Sequence, residues 1–291
     1  MSTGKDLFRT RDHVADFDDI VSGFVDRSIA SRVRLRSVLD VPYGDGERET
    51  LDLFLPLAGA APVPVHVFVH GGYWRMFAKE DFSFVADAVV ASGAIAVIVD
   101  YALMPAVRMS HIVDQVRRAV RWTAANIGRF GGDPSEISVS GHSAGAHLCC
   151  WLLTSDAEVP PISSALLVSG VYDLQPLRSS FLQELIGLTE DEAERWSPLS
   201  ARFHTEATVS VVVGEKETAP FHDQAGRLVA HLASQRIASS VLVLPGHDHM
   251  TIVGADNAGS WQQPLLRKRY TEGEDVSSYF ERLKDIEAVQ F

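Results

Sequence analysis

Cysteine is nearly absent: two occur in 291 residues, and they are neighbours, Cys149 and Cys150. A disulfide framework needs spaced partners, so none is expected, and the pair reads as buried free thiols on one helix. Long hydrophobic runs are also missing. The nearest, Val85 to Val99, is broken by Asp87, Ser92 and Gly93, so no transmembrane helix is expected. The stretch Met1 to Asp19 is polar and charged with no apolar core, and a cytoplasmic location is expected. Positive charge is in short supply, with 26 Lys and Arg against 38 Asp and Glu and a net charge of −12. A nucleic-acid binder needs a basic face, and none is visible. No repeat or low-complexity tract appears. His247 and His249 stand two apart without a third ligand at metal spacing, so neither metal nor cofactor is expected.

What remains is a chain with 46% hydrophobic residues, long enough for one large domain that needs no staples. Arg34 to Val41 and Glu49 to Leu55 alternate like two antiparallel strands about the turn at Pro42 to Gly46. Apolar strands at 65–69, 94–99, 137–140, 165–169, 208–213 and 239–244 then alternate with helical stretches at 82–92, 112–126, 182–196 and 221–234. That order predicts an α/β architecture, a mainly parallel central sheet with helices on both faces. Sites in such sheets lie at the carboxyl ends of strands. The first thirty or so residues read as an amphipathic lead-in, a candidate flap over the site.

The chain is organised around Gly141-His142-Ser143-Ala144-Gly145, with a β-branched strand before it and a helical run after it. A sharp strand-to-helix turn there places Ser143 at positive φ and aims the Ala144 amide where an oxyanion would form. Nucleophilic serine chemistry needs a base, an acid that orients it, and backbone donors for the oxyanion. The expected chain order is serine, acid, histidine. His249, after the last strand, is the expected base, with His247 as its rival. His142 and His147 are near Ser143 only in sequence. Glu217 is the expected acid, in the loop after Thr208 to Val213, with Glu215 as its rival. The segment His70-Gly71-Gly72-Tyr73-Trp74 follows a buried strand, and its glycines allow close approach of the backbone to a carbonyl. The amides of Gly72, Tyr73 and Ala144 are the expected donors.

At these residues the chain resembles an α/β-hydrolase of the hormone-sensitive-lipase and bacterial-esterase group. The matches are His70-Gly71-Gly72, Asp100 to Pro105, and Gly131-Gly132-Asp133-Pro134 leading to Gly141 to Gly145. Within that group it is more similar to kynurenine formamidases. The pointers are His-Gly-Gly-Tyr-Trp at 70–74, Val41 to Gly44 with Leu51 to Pro56, Ser169 to Leu174, and the loop Gly214 to Gln224. The resemblance spans residues 38 to 255 and implies Ser143, Glu217 and His249 as the triad. The family's acid is aspartate, so Glu217 is a departure, although Thr218, Phe221 and Gln224 keep the frame. The implied reaction is hydrolysis of an N-formyl arylamine such as N-formylkynurenine, with a carboxylesterase on short acyl esters as the alternative and a non-catalytic binding protein as the third reading. Gly71, Tyr73, Trp74 and Phe77 are the candidate substrate contacts, with core packing as the competing role of the aromatics.

The expected organisation is one α/β-hydrolase domain over 1–291, with a flap at 1–35 and a C-terminal extension at 260–291. Val276, Tyr279, Phe280, Leu283 and Ile286 would share one face of a helix over 276–289. Such a stripe needs a partner, the hydrolase body or a second subunit, and a homodimer is favoured slightly.

Overall fold

The computed structural model describes residues 5–57 and 62–254. The helix expected at 276–289 lies outside the described residues, as does the extension that would carry it. Among the described residues, an eight-stranded sheet has the order β1-β2-β4-β3-β5-β6-β7-β8. The strands are β1 (Arg36–Pro42), β2 (Thr50–Leu55), β3 (Val63–Val69), β4 (Ile95–Val99), β5 (Gly132–His142), β6 (Ser164–Val168), β7 (Thr208–Gly214) and β8 (Ser239–Leu244). β1 and β2 pair antiparallel, β2 runs antiparallel to β4, and every later pair is parallel. This is the α/β-hydrolase fold.

Alternation within each strand sends side chains to two cores. From β4, Ile95, Val97 and Val99 enter one cluster, and Ala96 and Ile98 enter the other. Helix α3 (Met109–Asn126) covers the first cluster with Ile112, Val116, Ala119, Val120 and Thr123, spaced by three and four. Ile112, Val116 and Val120 each contribute about 1.5–3 kcal/mol through full burial. Helix α1 (Phe17–Arg34) lies over the antiparallel edge, where Arg32 ion-pairs with the buried Asp52 and Lys79 reaches the same carboxylate at 3.1 Å.

Two helical expectations need correction. The stretch 82–92 begins as a tighter 3-10 turn at Lys79–Val85 and becomes α2 (Ala86–Ala91). The stretch 182–196 is not one helix but two, α5 (Gln183–Ile186) and α6 (Glu190–Arg195). Gly187, at φ 58, ends the first in the left-handed region. Thr189 starts the second, its hydroxyl accepting from the Glu192 amide while the Glu192 side chain returns to the Thr189 amide. At the end of α4 (Ala144–Cys150), Cys149 and Cys150 are buried free thiols, and burial pushes both up in pKa. Among the described residues, no helix is long and apolar enough to cross a membrane.

The chain order reverses beside β3, since β4 pairs on one side of it and β5 on the other. Loops leaving β3 and β5 therefore diverge and open a crevice at their carboxyl ends. Register puts the later strands at the same level: Val69 pairs with Gly141, His142 with Val168, Val168 with Val212, and Gly214 with Leu244.

Candidate active site

Five loops emerge at that level. The first surrounds Ser143, which stands between β5 and α4 at φ 54 and ψ −117. Two glycines make the turn possible. A Cβ on Gly141 would sit 2.3 Å from the Gly145 backbone, and one on Gly145 would sit 2.0 Å from the Val69 carbonyl oxygen. The Ser143 amide donates to Val168 O at 2.8 Å, which fixes the turn against β6.

The structure brings Ser143, His249 and Glu217 together, from sites more than a hundred and about thirty residues apart in the chain. His249 Nε2 lies 3.1 Å from Ser143 Oγ, and its Nδ1 lies 2.8 Å from Glu217 Oε2. The acceptors assign the tautomer: Nδ1–H donates to the carboxylate, and Nε2 accepts from the serine hydroxyl. Glu217 Oε1 takes two further donors, Ser169 Oγ at 2.5 Å and the Gly214 amide at 2.7 Å. The two rivals lie elsewhere. Glu215 is exposed and accepts from the Gly246 amide at 2.7 Å, and the His247 carbonyl receives the Lys216 amide.

His142 has a role that its place in the turn did not suggest. Its Nε2–H donates to the carbonyl of His249 at 2.8 Å, and its ring lies 4.9 Å from the His249 ring. Burial, reinforced by the neighbouring His249, holds His142 well below the usual histidine pKa, so it stays neutral. His147 is also buried. The Trp74 indole N–H donates to its Nδ1 at 3.2 Å, so its Nε2–H donates to Trp196 O at 2.7 Å. Burial lowers its pKa to about 4.

The loop expected to supply oxyanion donors follows β3. Gly71 packs so closely on the nucleophile turn that a Cβ would meet His142 O at 2.8 Å and Ser143 Cβ at 3.2 Å. The carbonyl of Gly72 accepts the amides of Arg75 and Met76, both at 3.0 Å. The amides of Gly72, Tyr73 and Ala144 enter none of the loop hydrogen bonds among the described residues. The aromatics divide. Tyr73 meets Phe181 edge-on at 5.7 Å, while Trp74 is fully enclosed and edge-on to His147, and Phe77 packs on Phe82. Packing thus describes Trp74 and Phe77, and Tyr73 is buried as well, edge-on to Trp74 at 6.3 Å, so its candidacy rests on its place beside Gly72 in this loop.

Behind this loop lies a clamp that sequence reasoning missed. His70 stacks on Tyr101 at 4.2 Å and places Nε2 3.2 Å from Asp100 Oδ1. Arg48 donates to Asp100 Oδ1, to the Phe77 carbonyl and to the Tyr101 carbonyl at 2.6–2.8 Å. Nothing near Arg48 in sequence marked it.

The nucleophile is not open to solvent: Ser143 is 2% exposed and His249 5%. The segment Asp6 to Phe8 ties three site loops together. Tyr73 Oη donates to Phe8 O at 2.5 Å, Thr218 Oγ1 to Leu7 O at 2.7 Å, and the Phe181 amide to Asp6 Oδ2 at 2.6 Å. Burial, with Asp6 and Glu217 nearby, pushes the Tyr73 phenol far up in pKa, so it remains a donor.

A buried serine, an imidazole bonded to it and a carboxylate beyond, on this sheet, define a serine hydrolase of the α/β-hydrolase class. The BD-FAE family model matches residues 51–160. Kynurenine formamidase of Danio rerio is 35% identical over 251 residues, 81% of this chain and 84% of that protein. The esterase LipQ of Mycobacterium tuberculosis is 37% identical over 150 residues, 46% of this chain and 35% of that protein. A solved structure of a candidate thioesterase from a Silicibacter strain has a TM-score of 0.77 at 29% identity, covering 91% of this chain and 95% of that one. The chain belongs to the kynurenine formamidase family of α/β-hydrolases.

Proposed function

We propose that the protein hydrolyses an N-formyl arylamide of the N-formylkynurenine type through an acyl-enzyme on Ser143. The observation that carries the reading is the unbroken line from Glu217 Oε2 to His249 Nδ1, 2.8 Å, and from His249 Nε2 to Ser143 Oγ, 3.1 Å. As Oγ bonds to the formyl carbon, its proton passes to Nε2. The carbonyl oxygen becomes an oxyanion held by the amides of Gly72, Tyr73 and Ala144. Collapse breaks the C–N bond while His249 returns the proton to nitrogen, and the arylamine leaves. Water, deprotonated by His249, then cleaves the formyl ester and releases formate. Glu217 holds the imidazole tautomer and stabilises the imidazolium.

Kinship with a protein named kynurenine formamidase supports the formyl-amide substrate. So does Tyr73 itself: a side chain beside Gly72, packed edge-on against Phe181, narrows the space next to the proposed oxyanion donors and favours the smallest acyl group. Gly71 and Tyr73 are the proposed substrate contacts. The reading also takes the chain as one hydrolase domain with an N-terminal flap, cytoplasmic, acting on a small molecule without nucleic acid, and with a homodimer as the proposed assembly. Similarity to the esterase LipQ favours a second reading, a carboxylesterase on short acyl esters. Comparing kcat/KM for N-formylkynurenine with that for p-nitrophenyl acetate separates the two. The formamidase reading expects the formamide to be preferred, and a large ester preference would replace it with the second.

A further inference from the structure

Glu217 must fold its side chain back to serve His249. Its own amide donates to Gly214 O at 3.1 Å, and its carboxylate returns so that Oε1 accepts the Gly214 amide at 2.7 Å. The second donor to that oxygen comes from another strand. Ser169, the first residue past β6, places Oγ 2.5 Å from Oε1 and is 2% exposed. Its amide donates to Val212 O of β7 at 2.7 Å, so the hydroxyl is anchored to the strand that carries the acid. Ser169 also stands at φ 53, a conformation that glycine takes freely and serine does not. A side chain kept there against its backbone preference, with its hydroxyl on the carboxylate, points to a task for that hydroxyl.

We propose that Ser169 is a positioning residue of the catalytic apparatus: with the Gly214 amide it docks one oxygen of Glu217 so that the other alone is presented to His249. The inference rests on the reading of Glu217 as the triad acid. A glutamate has one more rotatable bond than the aspartate of the resembling formamidases, so its carboxylate needs more to hold it. Two donors on Oε1 fix the rotation of the group and temper its basicity. Without the hydroxyl, the carboxylate is both less fixed and more basic. The first effect lowers the rate. The second favours the imidazolium and moves the acid limb of the pH profile upward. The other titratable groups around the pair are His142 from β5, Tyr73 and Tyr172 from their loops, and His13, Lys216 and Asp248 at the recess beside Glu217. None of them changes in the variants below.

The test is a set of full-chain variants, Ser169→Ala, Ser169→Gly, Glu217→Gln and the double Ser169→Ala/Glu217→Gln, assayed for kcat and KM from pH 5 to 9. Glycine relieves the φ strain, so it separates loss of the hydroxyl from loss of backbone fit. Both single Ser169 variants should lose about tenfold in kcat, the scale of one hydrogen bond to a buried carboxylate, with KM nearly unchanged. Both should show the acid limb displaced to higher pH. The double variant should be no worse than Glu217→Gln alone, because Ser169 acts only through the carboxylate. Near-normal Ser169 variants, recovery in the glycine variant alone, an unmoved acid limb, or additive losses in the double variant would each overturn the proposal. A fully active Glu217→Gln would remove the triad reading first, and this inference with it.

Discussion

Glutamine at position 217 should be far more damaging than its shape suggests. Glu217→Gln keeps the size, but the two ends of an amide are not equivalent. Oε1 of the native carboxylate faces two donors, the Ser169 hydroxyl and the Gly214 amide. An NH2 group cannot sit opposite two donors, so the glutamine oxygen takes that place and the NH2 turns to His249 Nδ1. Nδ1 must then be the acceptor, which moves the ring proton to Nε2, 3.1 Å from Ser143 Oγ. An imidazole with Nε2 already protonated cannot take the serine proton. Loss of the tautomer in a serine protease triad lowers kcat by about 10⁴, so a fall of about 10³ to 10⁴ is expected here, with little change in KM. In barrier terms that is about 4–5.5 kcal/mol. Steady-state rates on p-nitrophenyl acetate measure it, and ¹⁵N chemical shifts of the His249 ring report the tautomer directly. Glu215→Gln should change kcat by less than about threefold, since that exposed charge is screened. A loss below tenfold at Glu217, or a larger one at Glu215, would refute the reasoning.

Ser143→Ala should cut kcat by roughly 10³ to 10⁶-fold and abolish fluorophosphonate labelling, and retention of a tenth of the activity would rule out the serine mechanism. His147 makes stability fall in acid. Its pKa drops from 6.5 unfolded to about 4 in the fold, so the unfolded chain takes up the proton first. Stability is therefore complete above about pH 6.5 and declines by about 3 kcal/mol as the pH approaches 4. His142 adds to the same trend, and denaturant melts across that range that show no decline in the midpoint would contradict the buried, neutral assignment. Acyl-chain length is the third check: rates should drop steeply from acetyl to octanoyl p-nitrophenyl esters, whereas a flat profile would show that Tyr73 does not narrow the acyl side.

What was legible in the sequence was local. Gly-x-Ser-x-Gly after a β-branched strand carries its own geometry, because only that turn needs both glycines. The strand runs carry theirs in apolar patterning, and the split of 182–196 into two helices was readable from Gly187 and from the capping pair Thr189 and Glu192. Glu217 over Glu215 needed the family resemblance, since two loop glutamates two residues apart look alike until one is 8% exposed and bonded to His249. The contacts that could not be read join distant positions. Ser169 meets Glu217 across 48 residues, Tyr73 meets Phe8 across 65, and Thr218 meets Leu7 across 211. Nothing in the periodicity of either partner announces such a pair. Trp74 was ambiguous for a related reason: an indole beside an oxyanion loop suits a substrate wall or a core equally, and only the N–H on His147 decides between them.

Strain explains why those distant contacts exist. Among the described residues, nine non-glycine positions have positive φ, and five of them, Tyr73, Trp74, Phe77, Ser143 and Ser169, lie in the loops that leave β3, β5 and β6 at the site. Such conformations cost of order 1–3 kcal/mol each and persist only where the surroundings over-determine them. The surroundings here are specific. The oxyanion loop is held from below by Arg48, which bonds both Asp100 and the Phe77 carbonyl, and from above by the Phe8 carbonyl on Tyr73. The nucleophile turn is held by the Val168 carbonyl, and Ser169 by the Val212 carbonyl and by Glu217. Each restraint comes from an element other than the one it restrains, so the site loops cannot relax without breaking contacts elsewhere in the fold. Oxyanion donors stabilise developing charge only when they need not reorganise during the reaction. On the proposed reading, the Arg48 clamp, the Asp6 to Phe8 segment and the Ser169 hydroxyl act together: they hold strained loops in place so that the proposed oxyanion donors and the carboxylate need not reorganise during the reaction.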